Sequence, residues 1–353
     1  MNMKPLLFIF IAILWTQLVG TFSINAQEQS DSFDPEKKRT LRLISYNVEN
    51  AFDTINDPSE GDDEFLPSGI RRWNFYKYRD KIEKIYKVII AAGGWEPPGL
   101  VGLCEVESRK ILEDLVHRTP FSKYQYKIIH KESPDFRGID VAAIYREEKF
   151  QPLASRYIPV TLPKQYEKTR DILYIKGSTT TADTLHVFFN HWPSKWQGEL
   201  HSRPKRIQAA QILRHHIDSI FNINPKALIV AAGDFNDPPE AECLTGHLKA
   251  KINTDTIGPG NIYNLSTYWK KLPYGSYKYR GIWEIFDQFI VSGNLLIQKE
   301  GLQTSPNDAH IMLMPSLVTE DEQYTGTKPF RTYSGYRYQG GFSDHLPVIL
   351  DLH

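Results

Sequence analysis

The stretch Ile229–Asp237, IVAAGDFND, starts as an apolar β-type run and stops in two carboxylates and an amide: Asp234, Asn236 and Asp237. Short acids and amides after glycine are ordinary turn formers, because their side chains bond nearby backbone and tolerate unusual dihedrals. Pro238 and Pro239 follow directly. A turn explains one such ending, but the pattern recurs. LRLISYN ends in Asn47, LVGLCE in Glu105 and VFFNH in His191, while Asp287 precedes QFIVS, and Asp344 with His345 precedes LPVILDL. If the runs that end in polar groups lie antiparallel to those that begin in them, all six polar ends gather at one edge. That edge is the predicted site.

Two helical patterns interrupt the β-type runs. Ile82, Ile85 and Ile89 fall on one face of Tyr78–Ala92, as do Ala210, Leu213, Ile217 and Ile220 in Arg206–Phe221. Strands outnumber helices and are strongly apolar, which predicts sheets packed on each other with helices outside. There is no internal repeat and no low-complexity linker. Residues 40–353 are therefore expected to form one domain, although the length alone would suggest two.

The first 26 residues run from a single Lys4 through the apolar Leu6–Trp15 to small and polar residues ending at Ala26. This is the order of a secretory signal peptide, and its apolar core is too short for a spanning helix. Residues 27–39, QEQSDSFDPEKKR, read as a disordered leader. The expected mature chain is secreted or periplasmic, a monomer, with no stable membrane insertion. The 42 basic and 42 acidic residues balance, and the leader removes only Lys4. A binder that works mainly by neutralising phosphates would be basic, so any nucleic-acid contact here must be local. Two cysteines, Cys104 and Cys243, exclude a disulfide scaffold; whether they pair stays open.

Taken in order, SYNVEN, GLCEVE, RGIDVAAIY, NHWPS, GDFND, IFDQFIVS and GFSDHLPV resemble the metal-dependent endonuclease/exonuclease/phosphatase superfamily, which includes pancreatic deoxyribonuclease. The resemblance spans Asn47 to His345. It implies an α/β four-layer sandwich of two facing mixed β-sheets flanked by α-helices. It also implies a phosphodiester hydrolase with Mg²⁺, or Mn²⁺ in its place, held by Glu105 with Asn47 and Asp344. In that reading Asp234 orients or deprotonates the attacking water and Asn236 holds that water or a phosphate oxygen. Asp287 fixes His345, which stabilises the transition state, and His191 stands near the leaving oxygen as a general acid. An all-oxygen ligand set suits these hard cations. Glu49 and Glu107 lie two residues beyond Asn47 and Glu105, and so on the same strand face; Glu49 is a candidate to help the metal and Glu107 a rim charge.

Substrate is the finer question. NHWPSKWQGELHSRPKRIQAAQIL, GSYKYRGIWEIFDQFIVS and KPFRTYSGYRYQGGFSDHLPV resemble segments of extracellular bacterial nucleases of the superfamily, and interleave Lys and Arg with Trp and Tyr. Such a mixture suits a nucleic-acid strand, with DNA the first choice and RNA the second. Arg137, Tyr145, Lys278 and Arg280 are the candidate substrate contacts. The alternative is a sphingomyelinase or an inositol-phosphate phosphatase on the same fold. The first would need an exposed apolar hairpin, for which HIMLMPSLV, residues 310–318, is the candidate.

Overall fold

Leu228–Asp234 explains the architecture, because it is apolar on both faces and both are covered. Val230 and Ala232 pack with Leu43, Leu103 and Phe189, whereas Ile229 and Ala231 pack with Leu213 and Ile217. A strand buried on two sides reads as a continuous apolar run rather than an alternation. The computed structural model describes residues 39–57, 61–163, 166, 168–196 and 198–353. The expected signal peptide and, save Arg39, the expected leader lie outside the described residues.

A six-stranded sheet has the order Ala309–Ile311, Val348–Leu352, Leu41–Ala51, Leu100–Val106, Asp140–Tyr145, Lys127–Ile129. Leu41–Ala51 and Leu100–Val106 are parallel, and their outer neighbours Val348–Leu352 and Asp140–Tyr145 are antiparallel to them. A seven-stranded sheet has the order Phe150–Ile158, Ile172–Thr179, Thr184–His191, Leu228–Asp234, Asp287–Ser292, Ile262–Asn264, Ala250–Lys251. Here Thr184–His191 and Leu228–Asp234 are parallel and Asp287–Ser292 runs against them. The sheets meet closely: a Cβ at Gly102 would lie 2.0 Å from the Phe189 ring.

Helix α1 (Phe75–Gly93) lays Tyr78, Ile82, Ile85 and Ile89 on the first sheet. Its start is capped by Asn74, whose side chain accepts the Lys77 N–H at 3.1 Å. Helix α2 (Arg109–Arg118) buries Ile111, Leu112, Leu115 and Val116. Helix α3 (Glu199–Ile223) covers the outer face of the second sheet. The result is the expected sandwich, helices outside two mixed sheets. Cys104 and Cys243 are both buried and free. Among the described residues no helix is long and apolar enough to cross a membrane.

Candidate active site

Register alone brings three functional side chains together. His191 pairs with Asp234, and Asp234 pairs with Asp287 across the next strand. The first sheet contributes from the facing side. Its pairing is regular up to Asn47 and Cys104 and then breaks in both strands. Glu49, Asn50 and Glu105 adopt left-handed backbone there, with φ of 53°, 51° and 66°. Such a conformation costs a residue with a side chain about 1–2 kcal/mol, and bulges of this type redirect side chains. In this bulge Glu105 Oε2 accepts the Asn50 N–H at 2.8 Å, and its Oε1 lies 3.5 Å from Asn47 Nδ2.

Asp234 is the hub. Its Oδ1 accepts the Asn236 N–H at 2.9 Å and its Oδ2 accepts Asn47 Nδ2 at 3.1 Å. His191 Nε2 lies 3.7 Å and His345 Nε2 3.8 Å from the same Oδ2. Those two spacings exceed a hydrogen bond, so both imidazoles and the carboxylate face one small volume without closing on each other. Behind them, His345 Nδ1 bonds Asp287 Oδ2 at 2.7 Å. Ser276 Oγ accepts the Asp287 N–H at 3.0 Å, and the Tyr277 ring lies 4.7 Å from that of His345.

The two histidines are driven apart in charge. Burial alone would lower His345, but Asp287 and Asp234 overcome it and hold the imidazole well above its usual range, as a cation. Burial, then Arg170, Arg137 and His345, hold His191 well below that range, so it is neutral. Burial pushes Asp234 up to about 7 against the opposing pull of His345. A carboxylate near neutrality is a competent proton acceptor.

A model of the Endonuclease/Exonuclease/phosphatase family matches residues 42–353. The chain belongs to that family. Its fold is shared with several solved structures. D. rerio TDP2 complexed with single-strand DNA product aligns with a TM-score of 0.53 at 14% identity, covering 89% of this chain and 98% of that one. An endonuclease/exonuclease/phosphatase from Bacteroides vulgatus gives 0.51 at 16%, covering 90% and 99%. The human nocturnin catalytic domain with bound sulfate gives 0.51 at 13%, covering 90% and 95%. No curated protein matches.

Within this family of phosphoester hydrolases, the residues expected from sequence divide into two groups. Asn47, Glu105, His191, Asp234, Asp287 and His345 converge. Asn236, also left-handed at φ 53°, turns its Nδ2 to the Trp192 carbonyl at 2.9 Å, so it braces the chain leaving His191. Asp344 stands at the rim, bonded to Arg331 Nη2 at 2.7 Å. Glu49 does not share a face with Asn47, because the bulge turns it away: it accepts the Thr332 N–H at 2.6 Å, and burial with Asp344 nearby raises it to about 7. Glu107 accepts the Asp53 N–H at 2.7 Å.

The expected substrate contacts fare differently. Tyr145 does not line the cleft. Asp140–Tyr145 runs against Leu100–Val106, so Tyr145 pairs with Leu100, at the end away from Glu105. Arg137 is partly exposed, with its Nε 3.6 Å from Asp135, and its charge reaches His191. Arg280 is exposed at a hairpin turn, its guanidinium 5.2 Å from the Tyr279 ring centroid. Lys278 is not available to substrate. Its side chain is 3% exposed and bonds Asp321 at 2.9 Å and the Thr325 and Thr327 carbonyls at 3.0 Å each. Lys278→Met should therefore cost stability, about 1.5–3 kcal/mol, the scale of a hydrogen bond to a charged group, because Asp321 loses its nearer cation and keeps Lys328 at 3.4 Å. Denaturant unfolding measures this; an unchanged midpoint together with a raised KM on DNA would restore the binding role.

Arg170 had no motif to announce it. It is buried, donating to Asp135 Oδ2 at 3.0 Å and to the Trp192 carbonyl at 2.8 Å. It thus fixes, with Asn236, the backbone just beyond His191.

The donor set fits a hard cation. Among the described residues no Lys or Arg lies within ion-pair distance of Glu105; Asn47 turns its Nδ2 to that carboxylate, while its Oδ1, the atom that would face a cation, accepts the Glu49 N–H at 3.0 Å. Oxygen donors of this kind suit Mg²⁺ or Mn²⁺. A separate group, His130, Glu132 and Asp140, has ligand atoms within 4.8 Å of one another. There His130 bonds Asp140 at 2.9 Å and Asp140 accepts the Ser133 N–H at 2.7 Å, bonds that fasten the 130–140 loop.

Proposed function

We propose that the protein is an exported, divalent-metal-dependent phosphodiesterase that cleaves nucleic acid internally, DNA before RNA. The observation that carries this reading is the convergence on Asp234 Oδ2 of Asn47, His191 and the Asp287-bound His345. Asp234 orients and deprotonates a water aimed at phosphorus. Asn47 and the Asn236 N–H hold that carboxylate in one orientation. His345, kept cationic by Asp287, offsets the charge that grows on the phosphoryl oxygens. His191, being neutral, donates a hydrogen bond from Nε2 and helps the leaving oxygen in that way, a weaker role than full proton transfer. Glu105 and Asn47, with Asp344 at the rim, would hold Mg²⁺ or Mn²⁺, which when bound stabilises charge on phosphoryl and leaving oxygens.

Nucleic acid is favoured by exposed rings on the three segments that adjoin the site. Trp196 is 69% exposed, Tyr279 55% and Tyr336 57%. Flat aromatic faces stack on bases with little regard to sequence. The candidate membrane hairpin argues against the sphingomyelinase alternative, since Ile311, Met312 and Leu317 within it are buried. The test is a panel of duplex and single-stranded DNA, RNA, sphingomyelin and inositol phosphates with Mg²⁺. Cleavage of a lipid or inositol phosphate with no nucleic acid touched would overturn the substrate assignment. Export rests on the leader sequence, and N-terminal sequencing of exported material should read Gln27.

A further inference from the structure

At the opposite end of the second sheet from Asp234 lies a cavity of about 770 Å³. Leu228 lines it and begins the strand that Asp234 ends, so about 20 Å of extended chain separates the two places. Strand register builds its wall. Arg156 pairs with Tyr174, and Lys176 pairs with His186, all four side chains lining the cavity. The Arg156 guanidinium sits 4.9 Å from the Tyr174 ring centroid, and the Tyr174 hydroxyl bonds His186 Nδ1 at 2.7 Å. Lys226 closes another side, and the apolar Ile220, Ala227 and Leu228 form part of the lining.

The charge is one-sided. Among the described residues no ion pair holds Arg156, Lys176 or Lys226. The one acid in the lining, Asp183, already accepts Thr181 Oγ1 at 2.6 Å and the Leu302 N–H at 2.9 Å. The end of α3 also borders the cavity, and its carbonyls add roughly half a negative charge. Three full cations outweigh one engaged carboxylate and that half charge. His186 adds no charge of its own: burial and then Lys176 lower it to about 4. It is a neutral imidazole whose Nδ1 shares a hydrogen bond with the Tyr174 hydroxyl. Arg156 Nη2 also lies 3.5 Å from His216 Nδ1, but in a chain that is neutral overall this is a local concentration of cations without carboxylate partners, at a volume typical of small-molecule sites.

We propose that this cavity is a second binding site, for a small phosphate monoester whose anionic group is held by Arg156, Lys176 and Lys226 while its uncharged part lies on the apolar lining. The site is separate from the cleft and does not depend on the reaction there. Calorimetric titration of the full chain in chelator would use inorganic phosphate, a 5′-mononucleotide and an inositol monophosphate. Saturable binding of a monoester is expected, weakened at least 10-fold in Lys176→Glu/Lys226→Glu and unchanged in Asp234→Asn. Lys226→Glu alone, at an exposed position, should weaken it in the same direction if the double variant folds poorly. One of the two monoesters should bind more tightly than inorganic phosphate, and inorganic phosphate bound as tightly as both would overturn the part given to the apolar lining. No saturable binding at millimolar ligand, or binding that survives both charge reversals or is lost in Asp234→Asn, would overturn the proposal.

Discussion

Asp234→Asn should lower kcat on a phosphodiester by at least ~10²-fold, the usual scale for removing a positioned base. The amide keeps the size of the side chain and can still accept the Asn236 N–H. It cannot take a proton from water, and it removes the negative charge that faces both imidazoles. The loss should fall on kcat more than on KM, because these interactions grow only as the transition state forms. His345→Ala should cost a similar factor, since the Asp287–His345 pair would no longer present a cation. The double variant should lose less than the product of the two factors, as groups serving one transition state are not additive. Near-normal turnover in Asp234→Asn would remove it from the role of base.

Glu105→Gln is the second large effect. The bulge that presents this side chain is fixed by backbone, so the amide should occupy the same place and still accept the Asn50 N–H. What disappears is a full negative charge near the expected cation. At 4 Å and an effective dielectric of 20 two unit charges interact by about 4 kcal/mol, and a divalent cation doubles that. Part of it will be recovered by solvent, so the metal concentration for half-maximal activity should rise at least ~10-fold, with kcat falling as well. A wild-type activity that persists undiminished in chelator would contradict this, as would a variant with an unaltered metal requirement.

The site is legible in the sequence because strand ends announce themselves. An apolar run that stops in Asp, Glu or His is visible without knowing the partner strand, and all six convergent residues were found that way or through the ordered motifs. What escaped depends on distant pairing. Tyr145 was misplaced because the direction of its strand is set by its neighbours, not by its own residues. Lys278 looked like a surface cation among aromatics, but the Asp321 that buries it lies 43 residues along the chain. Glu49 was placed on the face of Asn47 by strict alternation, which a bulge breaks. Helix α2 is short, and the strands Phe150–Ile158 and Ile172–Thr179 went unread; the first exposes most of its side chains and carries Pro152. Arg170 is buried by contacts to Asp135 and Trp192, neither of them local.

The central claim is direct, in-line attack of an Asp234-activated water on phosphorus, with no covalent enzyme intermediate. The most direct test is the stereochemistry of cleavage of a DNA substrate carrying a single phosphorothioate of known configuration, hydrolysed in ¹⁸O-water with Mg²⁺. One in-line displacement predicts inversion at phosphorus, and retention, the mark of two displacements through a phosphoryl-enzyme, would contradict the account.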